Sequence, residues 1–288
     1  MSIQEMVLDT LKETSRTFFI PICRLPPGLQ EAVASAYLCM RAIDEIEDHA
    51  QLAKPTKISQ LRLISQLLQS QTEVETFAYS DFSKAFAELR DTLPAVTLGL
   101  ASWACYAPET IAPRIWDATA AMAERMAYWV SNDWQITTEA DLDHYTFSVA
   151  GAVGLLLCDL WAWFTGEQLD RSAALHFGRG LQAVNILRNR RDDLARGVDF
   201  FPDGWKQEQM HQYAHRQLSA AEAYAKTSAT HSFGLFVTIP LTLAYATLDA
   251  LLHGEEKLSR EQVELLIQTV NVNSAESVAA DCANVEEH

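Results

Sequence analysis

The sequence predicts one all-α domain, and three observations carry that prediction. The chain has only 11 Gly and 9 Pro among its 288 residues, which is about 7% against about 12% in average proteins. Apolar residues recur at helical spacing over long stretches. No run alternates between apolar and polar residues as a half-buried strand does. A chain so poor in turn residues favours long helices over a many-stranded sandwich or barrel.

The individual helices are predicted from apolar stripes that Pro and Gly residues interrupt. The first clear stripe lies between residues 58 and 68, where Ile and Leu recur every three or four positions. Later helical stretches cover residues 116–131, 142–164, 172–195, 205–228, 232–252 and 259–270. Ser259 is a typical N-cap for the last of them. The pattern gives about ten helices, and those that are apolar nearly all round are expected inside the bundle.

Nothing in the sequence divides the chain into two domains. Its length is near the upper limit for one hydrophobic core. No linker is rich in Gly, Ser or Pro. We therefore predict a single domain over residues 1–270, followed by a small, polar and loose tail over residues 271–288.

The net charge excludes one class of function. The chain has 38 acidic and 22 basic residues, which gives a formal charge of −16. Nonspecific nucleic-acid binding is excluded because it depends on a basic surface that neutralises phosphates. An anionic ligand would need a metal ion or a local basic cluster in order to bind.

The cysteines and the N-terminus predict a cytoplasmic protein. The five Cys residues form no CxxC pair, and an odd number in apolar surroundings is typical of a reduced chain. The first residues, MSIQEMVLDTLKE, have neither the basic segment nor the apolar segment of a signal peptide.

One acidic motif lies at the end of a predicted apolar helix. Tyr37, Arg41, Asp44 and Asp48 are spaced by four, three and four residues, which places them on one helical face, and Glu47 is adjacent. Carboxylates at this spacing repel each other, and a hard divalent cation such as Mg²⁺ would offset the cost. A solvated acidic helix end is the alternative, but the buried-looking run before the motif argues against it.

A second polar face occurs about 145 residues later along the chain. Gln182, Asn185, Asn189 and Asp193 are spaced by three, four and four residues and present oxygen atoms one turn apart. Four arginines surround them, namely Arg188, Arg190, Arg191 and Arg196. Two such faces suit a diphosphate bridged by Mg²⁺, with arginine forks on the phosphate oxygens. The alternative is a surface helix with ordinary i,i+4 charge pairs.

Several segments together resemble the squalene and phytoene synthase family, and the squalene branch more than the phytoene branch. The similar segments are SRTF (15–18), LP (25–26), AVASAYLCMRAIDEIED (32–48), DLDHYTFSVAGAVGLLL (141–157), NILRNRRDDLARGVDFFP (185–202) and FVTIPLTLAYATL (236–248). They occur in the family's order and span roughly residues 12 to 250. The resemblance implies an all-α isoprenoid-synthase bundle in which two Asp-rich helices face a central cavity. It also implies head-to-head joining of two prenyl diphosphates through a cyclopropyl diphosphate.

The resemblance assigns roles residue by residue. Metal binding falls to Asp44, Glu47, Asp48, Asn185, Asn189 and Asp193. Catalysis falls to Tyr145, which matches a tyrosine assigned to proton handling, and to Arg188, Asp44 and Asp48. Substrate binding falls to residues that contact the diphosphate or line the cavity, namely Arg16, Tyr37, Arg41, Gln182, Asn189 and Phe236. The residue pattern itself adds Arg191 beside the second motif, and Phe18 and Val149 as candidates for an apolar wall.

Two positions depart from the family's pattern. Asn189 stands where the family has the first Asp of its second motif, so this face loses one negative charge. Val198 stands where the family has an arginine used on the diphosphate. Arg196 lies two residues away and is a candidate substitute, although a turn changes its direction.

The sequence supports three functional hypotheses. The first is a Mg²⁺-dependent prenyltransferase that condenses two farnesyl diphosphates head to head into a presqualene diphosphate or squalene-type product. The second is a diverged enzyme that acts on one prenyl diphosphate by transfer to another acceptor (for example an aromatic one), cyclisation or hydrolysis. The third is a prenyl-lipid-binding protein without catalysis, against which the retained carboxylates and arginines argue.

The expected cofactor is Mg²⁺, and the use of NADPH stays open because family members that use it lack a Gly-rich dinucleotide loop. The expected partner is a prenyl diphosphate. Peripheral membrane contact for a lipid product and the oligomeric state are left open by the sequence.

Overall fold

The computed structural model of the chain is a bundle of α-helices. It describes residues 2–15, 17–227, 232–255, 257–259 and 261–270, and none of these residues forms a strand. The all-α fold class is therefore confirmed. The tail at 271–288 lies outside the described residues, so its looseness stays a prediction.

The N-terminal half forms eight helices of very different length. They are α1 (Ile3–Thr14), α2 (Phe19–Cys23), α3 (Leu29–Glu47), α4 (Lys54–Gln69), α5 (Tyr79–Ala85), α6 (Ala95–Leu98), α7 (Leu100–Ala104) and α8 (Ala112–Ser131), with a 3₁₀ turn at Ala87–Leu89. The Ser2 side chain caps α1 and forms a capping box with Glu5. Pro55 and Pro113 occupy the first turns of α4 and α8, where a missing N–H costs nothing.

The C-terminal half contains the longest helices. They are α9 (Glu139–Thr146), α10 (Ala152–Thr165), α11 (Arg171–Ala195), α12 (Gln207–Thr227) and α13 (Ser232–Leu252). A π-helical segment, Phe147–Gly151, joins α9 to α10. A last helical segment spans residues 261–270, and Ser259 caps it by accepting a hydrogen bond from the Gln262 amide.

The predicted stretch at 142–164 therefore contains three elements instead of one helix. The π-helical turn widens the backbone at Phe147–Gly151 and leaves local groups to be paired. The Ser148 carbonyl accepts a hydrogen bond from Arg125 Nε at 3.2 Å, and the Ser148 hydroxyl donates to the His144 carbonyl at 2.7 Å. The short helices α5 to α7 have no individual sequence signal, because four to seven residues are too few to establish a periodicity.

Two helices organise the core. Helix α3 contacts α1, α4, α6, α7, α8 and α10, and Leu38, Ile43 and Ile46 on it are fully buried. Helix α11 contacts α9, α10, α12, α13 and the π-helical segment. These are the helices that carry the two predicted polar motifs, so the core itself fixes where the motifs lie.

The helical stretch Glu139–Thr165 has the length and composition of a membrane span. In the fold, however, 44% of its most apolar window is buried, and it lies between α8 and α11. Its contacts with these two helices bury part of its apolar surface.

Two glycines allow α11 to contact the π-helical segment and α10 backbone to backbone. A Cβ atom on Gly178 would lie 2.2 Å from the Ala150 carbonyl oxygen, and one on Gly154 would lie 2.0 Å from the Ala174 carbonyl oxygen. Real side chains do not tolerate such distances, so these two positions require glycine. At Gly151 the nearest atom to an added Cβ is Arg179 Cγ at 3.4 Å, which is ordinary contact.

We expect Gly178→Ala to destabilise the fold and Gly151→Ala to have little effect. The methyl group at residue 178 forces the two backbones apart, and overpacking of this kind costs about 1–3 kcal/mol or more. Urea unfolding of the two variants and the wild type measures the difference. A Gly178→Ala protein as stable as Gly151→Ala would contradict the close helix contact.

Candidate active site

A cavity of about 610 Å³ lies between α3, α10, α11 and α13. Its polar wall is formed by α3 and α11, from which Arg41, Asp44, Asn185, Arg188 and Asn189 line it. Ser15, Thr17 and Phe18, which lie between α1 and α2, also line the cavity. The size lies within the range of ordinary ligand cavities, about 300–1,000 Å³.

Most of the other residues that line the cavity are apolar, although Glu13, Thr17, Thr247 and Lys257 also line it. Phe18 lies near two other rings, with centroids 6.0 Å from Phe236 and 6.1 Å from Tyr37. Val149 of the π-helical segment and Leu157 of α10 complete this wall. The cavity thus joins a charged end to a hydrocarbon-like compartment.

Arg41 pairs with two carboxylates on the acidic face of α3. Arg41 Nη1 donates to Asp44 Oδ2 at 2.8 Å, and its Nη2 donates to Glu45. The Tyr37 hydroxyl donates to the Thr14 carbonyl at 3.0 Å, which attaches α3 to the end of α1. Burial and the neighbouring Asp48 carboxylate raise the pKa of Asp44 to about 7, although Arg41 and Arg196 oppose the shift. The negative charge at Asp44 is therefore only partly compensated by the protein.

The amide face of α11 is organised around Arg188. Its Nη2 donates to Asn185 Oδ1 at 3.0 Å, and its Nε lies 3.3 Å from Asn189 Oδ1. The two amide oxygens therefore face a guanidinium group. Arg188 is therefore positioned at the cavity wall where its guanidinium group can bind an anion.

Arg196 connects the two motifs. Its Nη1 donates to Asp48 Oδ1 at 2.7 Å, and its Nη2 donates to Asp193 Oδ1 at 2.9 Å. The guanidinium carbon lies 5.9 Å from the Trp134 ring centroid and 5.8 Å from that of Phe200. The end of α3 and the end of α11 are thus joined by one cation between two aromatic rings.

Glu47 is buried behind the cavity. Its side chain is 3% exposed, and its Oε1 accepts a hydrogen bond from Trp134 Nε1 at 2.7 Å. Lys57 Nζ donates to the Glu47 backbone carbonyl at 2.6 Å. Burial, followed by the charge of Asp48, raises the pKa of Glu47 to about 8. Glu47 is therefore largely protonated at neutral pH in this arrangement.

Trp134 is a site residue that sequence analysis missed. It lies in the loop between α8 and α9, where Asp133 and Trp134 have φ angles of 53° and 48°. Two consecutive left-handed residues other than glycine are strained, and here the loop directs the indole towards Glu47. No periodicity signals such a loop, so nothing in the residue pattern indicates this role.

Tyr145 is buried beside the acidic motif. Its ring stacks on Phe200 at a centroid distance of 4.6 Å and meets Trp129 edge-on at 5.4 Å. Among the described residues, none makes a hydrogen bond to its hydroxyl. Burial, and then the carboxylates of α3, raise its pKa well above the usual value. The phenol is consequently neutral over the physiological pH range.

The cavity brings together most of the predicted residues. Those that line it are Phe18, Tyr37, Arg41, Asp44, Val149, Gln182, Asn185, Arg188, Asn189 and Phe236. Those outside its lining are Glu47, Asp48, Tyr145, Asp193 and Arg191. Arg191 is 77% exposed and lies 4.0 Å from Asp192. Arg16 lies outside the described residues. The catalytic and ligand roles of all these residues remain predictions.

The donor atoms suit Mg²⁺. Asp44 and Asp48 of α3 and Asp193 of α11 offer hard carboxylate oxygens, with amide oxygens beside them. Within the described ranges, no three or more His, Cys, Asp or Glu side chains form a ready metal cluster. Mg²⁺ rarely needs one, because it is usually held by one or two carboxylates together with water and substrate phosphates.

Comparison with known sequences places this cavity in context. A family model described as squalene/phytoene synthase matches residues 11–212. The squalene synthase of Dictyostelium discoideum is 29% identical over 255 residues, which are 85% of this chain and 57% of that protein. The squalene synthase of Schizosaccharomyces pombe is 28% identical over 302 residues, covering 92% of this chain and 64% of that protein. The squalene synthase BSS of Botryococcus braunii is 33% identical over 190 residues, covering 65% and 40%. The chain spans roughly half the length of these relatives.

Solved structures share the fold. TcSQS in complex with the ligand BPH1237 matches 93% of this chain and 86% of its own, with a TM-score of 0.69 and 21% identity. A dehydrosqualene synthase in complex with a ligand covers 95% of this chain and 97% of its own, with a TM-score of 0.60 and 16% identity. The helical bundle is therefore common to proteins of low sequence identity.

The raised pKa of Glu47 predicts a pH dependence of stability. Between the ordinary pKa of 4.5 and the folded value of about 8, the folded protein binds more protons at this group than the unfolded chain, so stability falls as pH rises through this interval. Glu47→Gln keeps an acceptor for Trp134 and removes this titration. With EDTA present, we expect the unfolding free energies of variant and wild type to diverge by more than about 1 kcal/mol between pH 5 and 8, in favour of the variant. Parallel curves would show that Glu47 ionises normally.

Proposed function

Since this chain belongs to the squalene/phytoene synthase family, we propose that it is a Mg²⁺-dependent prenyltransferase that condenses two farnesyl diphosphates head to head. One observation carries the proposal: a single cavity joins a charged end, with Arg41, Asp44 and Arg188, to an apolar compartment. An allylic diphosphate needs both. Its diphosphate is strongly anionic, and its chain is a hydrocarbon.

The charged end supports ionisation of the first substrate. The bond between C1 and the diphosphate oxygen breaks, the electron pair leaves with pyrophosphate, and an allylic cation remains. Arg41 and Arg188 offer N–H donors to the departing oxygens, and such donors stabilise charge that develops in the transition state. Mg²⁺, held by Asp44 and Asp48 on α3 and by Asn185, Asn189 and Asp193 on α11, would neutralise the charge of the leaving group.

The apolar compartment supports the steps after ionisation. The walls around Phe18, Val149 and Phe236 exclude water, which would otherwise capture the cation. The faces of Phe18 and Phe236 can also stabilise positive charge. The double bond of the second substrate then forms a carbon–carbon bond to C1, and loss of a proton closes a cyclopropane ring.

The proton lost in ring closure requires a final acceptor, and the pyrophosphate released in the first step supplies one. We assign its relay to Tyr145, whose neutral hydroxyl makes no hydrogen bond within the described residues and lies in the field of the α3 carboxylates. Product analysis with and without NADPH tests for a reduction after this step. An apolar product of this type partitions into membranes, so peripheral contact of a cytoplasmic protein with a membrane surface accompanies this proposal.

A second candidate is a reaction of one prenyl diphosphate with another acceptor, with its own double bond or with water. Val198 is 7% exposed and packs in the core, so no arginine reaches the diphosphate from this position. Asn189 offers an amide near Arg188 where a carboxylate would add charge. Both features weaken diphosphate binding at the α11 face. A reaction of one prenyl diphosphate depends less on this binding than a reaction of two.

The first test is the requirement for a divalent cation. We expect pyrophosphate release from farnesyl diphosphate to stop in EDTA and to fall by more than about 100-fold in Asp44→Asn, because the leaving group loses its counter-charge. Asp81→Asn is the matched control, since Asp81 pairs with Lys84 on the surface. Undiminished turnover in EDTA would overturn the metal requirement.

The second test separates the two candidate reactions through Asn189→Asp. A carboxylate at this position should hold Mg²⁺ more tightly, because ligand charge raises affinity for a hard cation. For a head-to-head synthase we expect an unchanged product at a lower Mg²⁺ concentration. The lipid product is extracted and identified by mass spectrometry, with farnesyl diphosphate as sole prenyl substrate and with or without NADPH. If neither protein forms a head-to-head product, the second candidate replaces the first.

A further inference from the structure

We propose that Arg196 is a built-in cation that joins the two motifs and competes with the divalent metal for Asp48 and Asp193. The inference rests on the proposed function, because it concerns the carboxylates assigned there to Mg²⁺. The inference thereby assigns a role to the positive charge of Arg196, which lies two residues before Val198 in the sequence.

The contacts of Arg196 span the site. One guanidinium group donates to Asp48 Oδ1 at 2.7 Å and to Asp193 Oδ1 at 2.9 Å, and these carboxylates come from different helices. Its Nε is a third donor, 3.1 Å from the same Asp193 oxygen. A planar fork with several donors can satisfy two carboxylates at once, which a single ammonium group does less well.

The surroundings of Arg196 fix its direction. Arg196 ends α11, and Gly197 comes next with a φ of 85°, so the chain turns sharply while the Val198 amide donates to the Asp193 carbonyl at 3.0 Å. The rings of Trp134 and Phe200 flank the guanidinium. With 29% of its side chain exposed, the cation is held in a half-buried slot.

The charges around Arg196 determine how its ion pairs affect metal binding. The α11 face has an amide at Asn189, so Asp193 is its one carboxylate along the stripe of residues 182, 185, 189 and 193. Arg196 pairs with that carboxylate and with Asp48, and its single charge offsets one of their two negative charges. A divalent ion that approaches without diphosphate finds Asp44 paired with Arg41, and it must displace Arg196 to gain Asp48 and Asp193. Diphosphate can favour that displacement, because it offers the freed guanidinium new acceptors.

The test measures metal binding directly. Mn²⁺ serves as the probe, and its binding to wild type, R196Q and the control R190Q is measured by electron paramagnetic resonance with and without inorganic pyrophosphate. Arg190 is a matched control because it also pairs with a carboxylate, Asp199 at 2.9 Å, and lies over a ring, Phe201 at 3.7 Å, but contacts neither motif.

Without pyrophosphate, we expect R196Q to bind Mn²⁺ at least about tenfold more tightly than wild type and R190Q, since two carboxylates are released. With pyrophosphate, the difference should shrink. In EDTA, R196Q should melt at a lower temperature than wild type, because its carboxylates repel each other, and Mn²⁺ should raise its melting temperature more.

Equal Mn²⁺ affinities of R196Q and wild type would overturn the role of Arg196 and leave the proposed function intact. No binding by either protein, even with pyrophosphate, would overturn the metal requirement and this inference together. Should R196Q fail to fold, R196K replaces it. Lysine keeps the charge but loses the fork, so we expect binding at least about threefold tighter than wild type, and equal affinities overturn the proposal.

Discussion

The structure depends on the convergence of carboxylates from two buried helices beside an apolar cavity. Asp44 lies in the last turn of α3, Asp48 directly follows that helix and is half-exposed, and Asp193 lies in the last turn of α11. Like charges at this spacing repel. Two arginines offset this repulsion. Arg41, within α3, donates to Asp44, and Arg196, at the end of α11, donates to Asp48. Burial still raises the pKa of Asp44 to about 7. The protein's own cations therefore compensate this carboxylate only partly, at the charged end of the cavity.

Much of this arrangement could be predicted from the sequence, because it derives from helical spacing. The faces through Asp44 and Asn185 follow helical spacing, so the members of each face lie on one side of their helix. The all-α class rests on the same rule. The features that the sequence does not reveal depend on backbone conformations without a period: the left-handed loop that aims Trp134 at Glu47, and the π-helical turn at Phe147–Gly151. The direction of a flexible side chain is equally hidden, so the sequence identifies Arg196 as a charge but not as a link between helices.

Tyr145, Phe200 and Arg196 show that the polar end is one connected unit. The Tyr145 ring stacks on Phe200. The guanidinium group of Arg196 lies close to both the Phe200 ring and the Trp134 ring. A shift of the α11 terminus therefore alters the surroundings of the phenol and of both acidic helices together. Residues from α3, α9 and α11 and from the loops before α9 and after α11 share this unit, although they are far apart in the sequence.

The glycine contact between α10 and α11 has a consequence for how such a cavity can diversify. Ala150, Gly154 and Gly178 line it, yet the carbonyl oxygens opposite the two glycines leave no room for a methyl group. These two positions are closed to larger side chains, so a change in the shape of the cavity must come from other lining residues, such as Met40 of α3 and Leu243 of α13. A protein engineer would therefore leave the two glycines unchanged and randomise such residues instead.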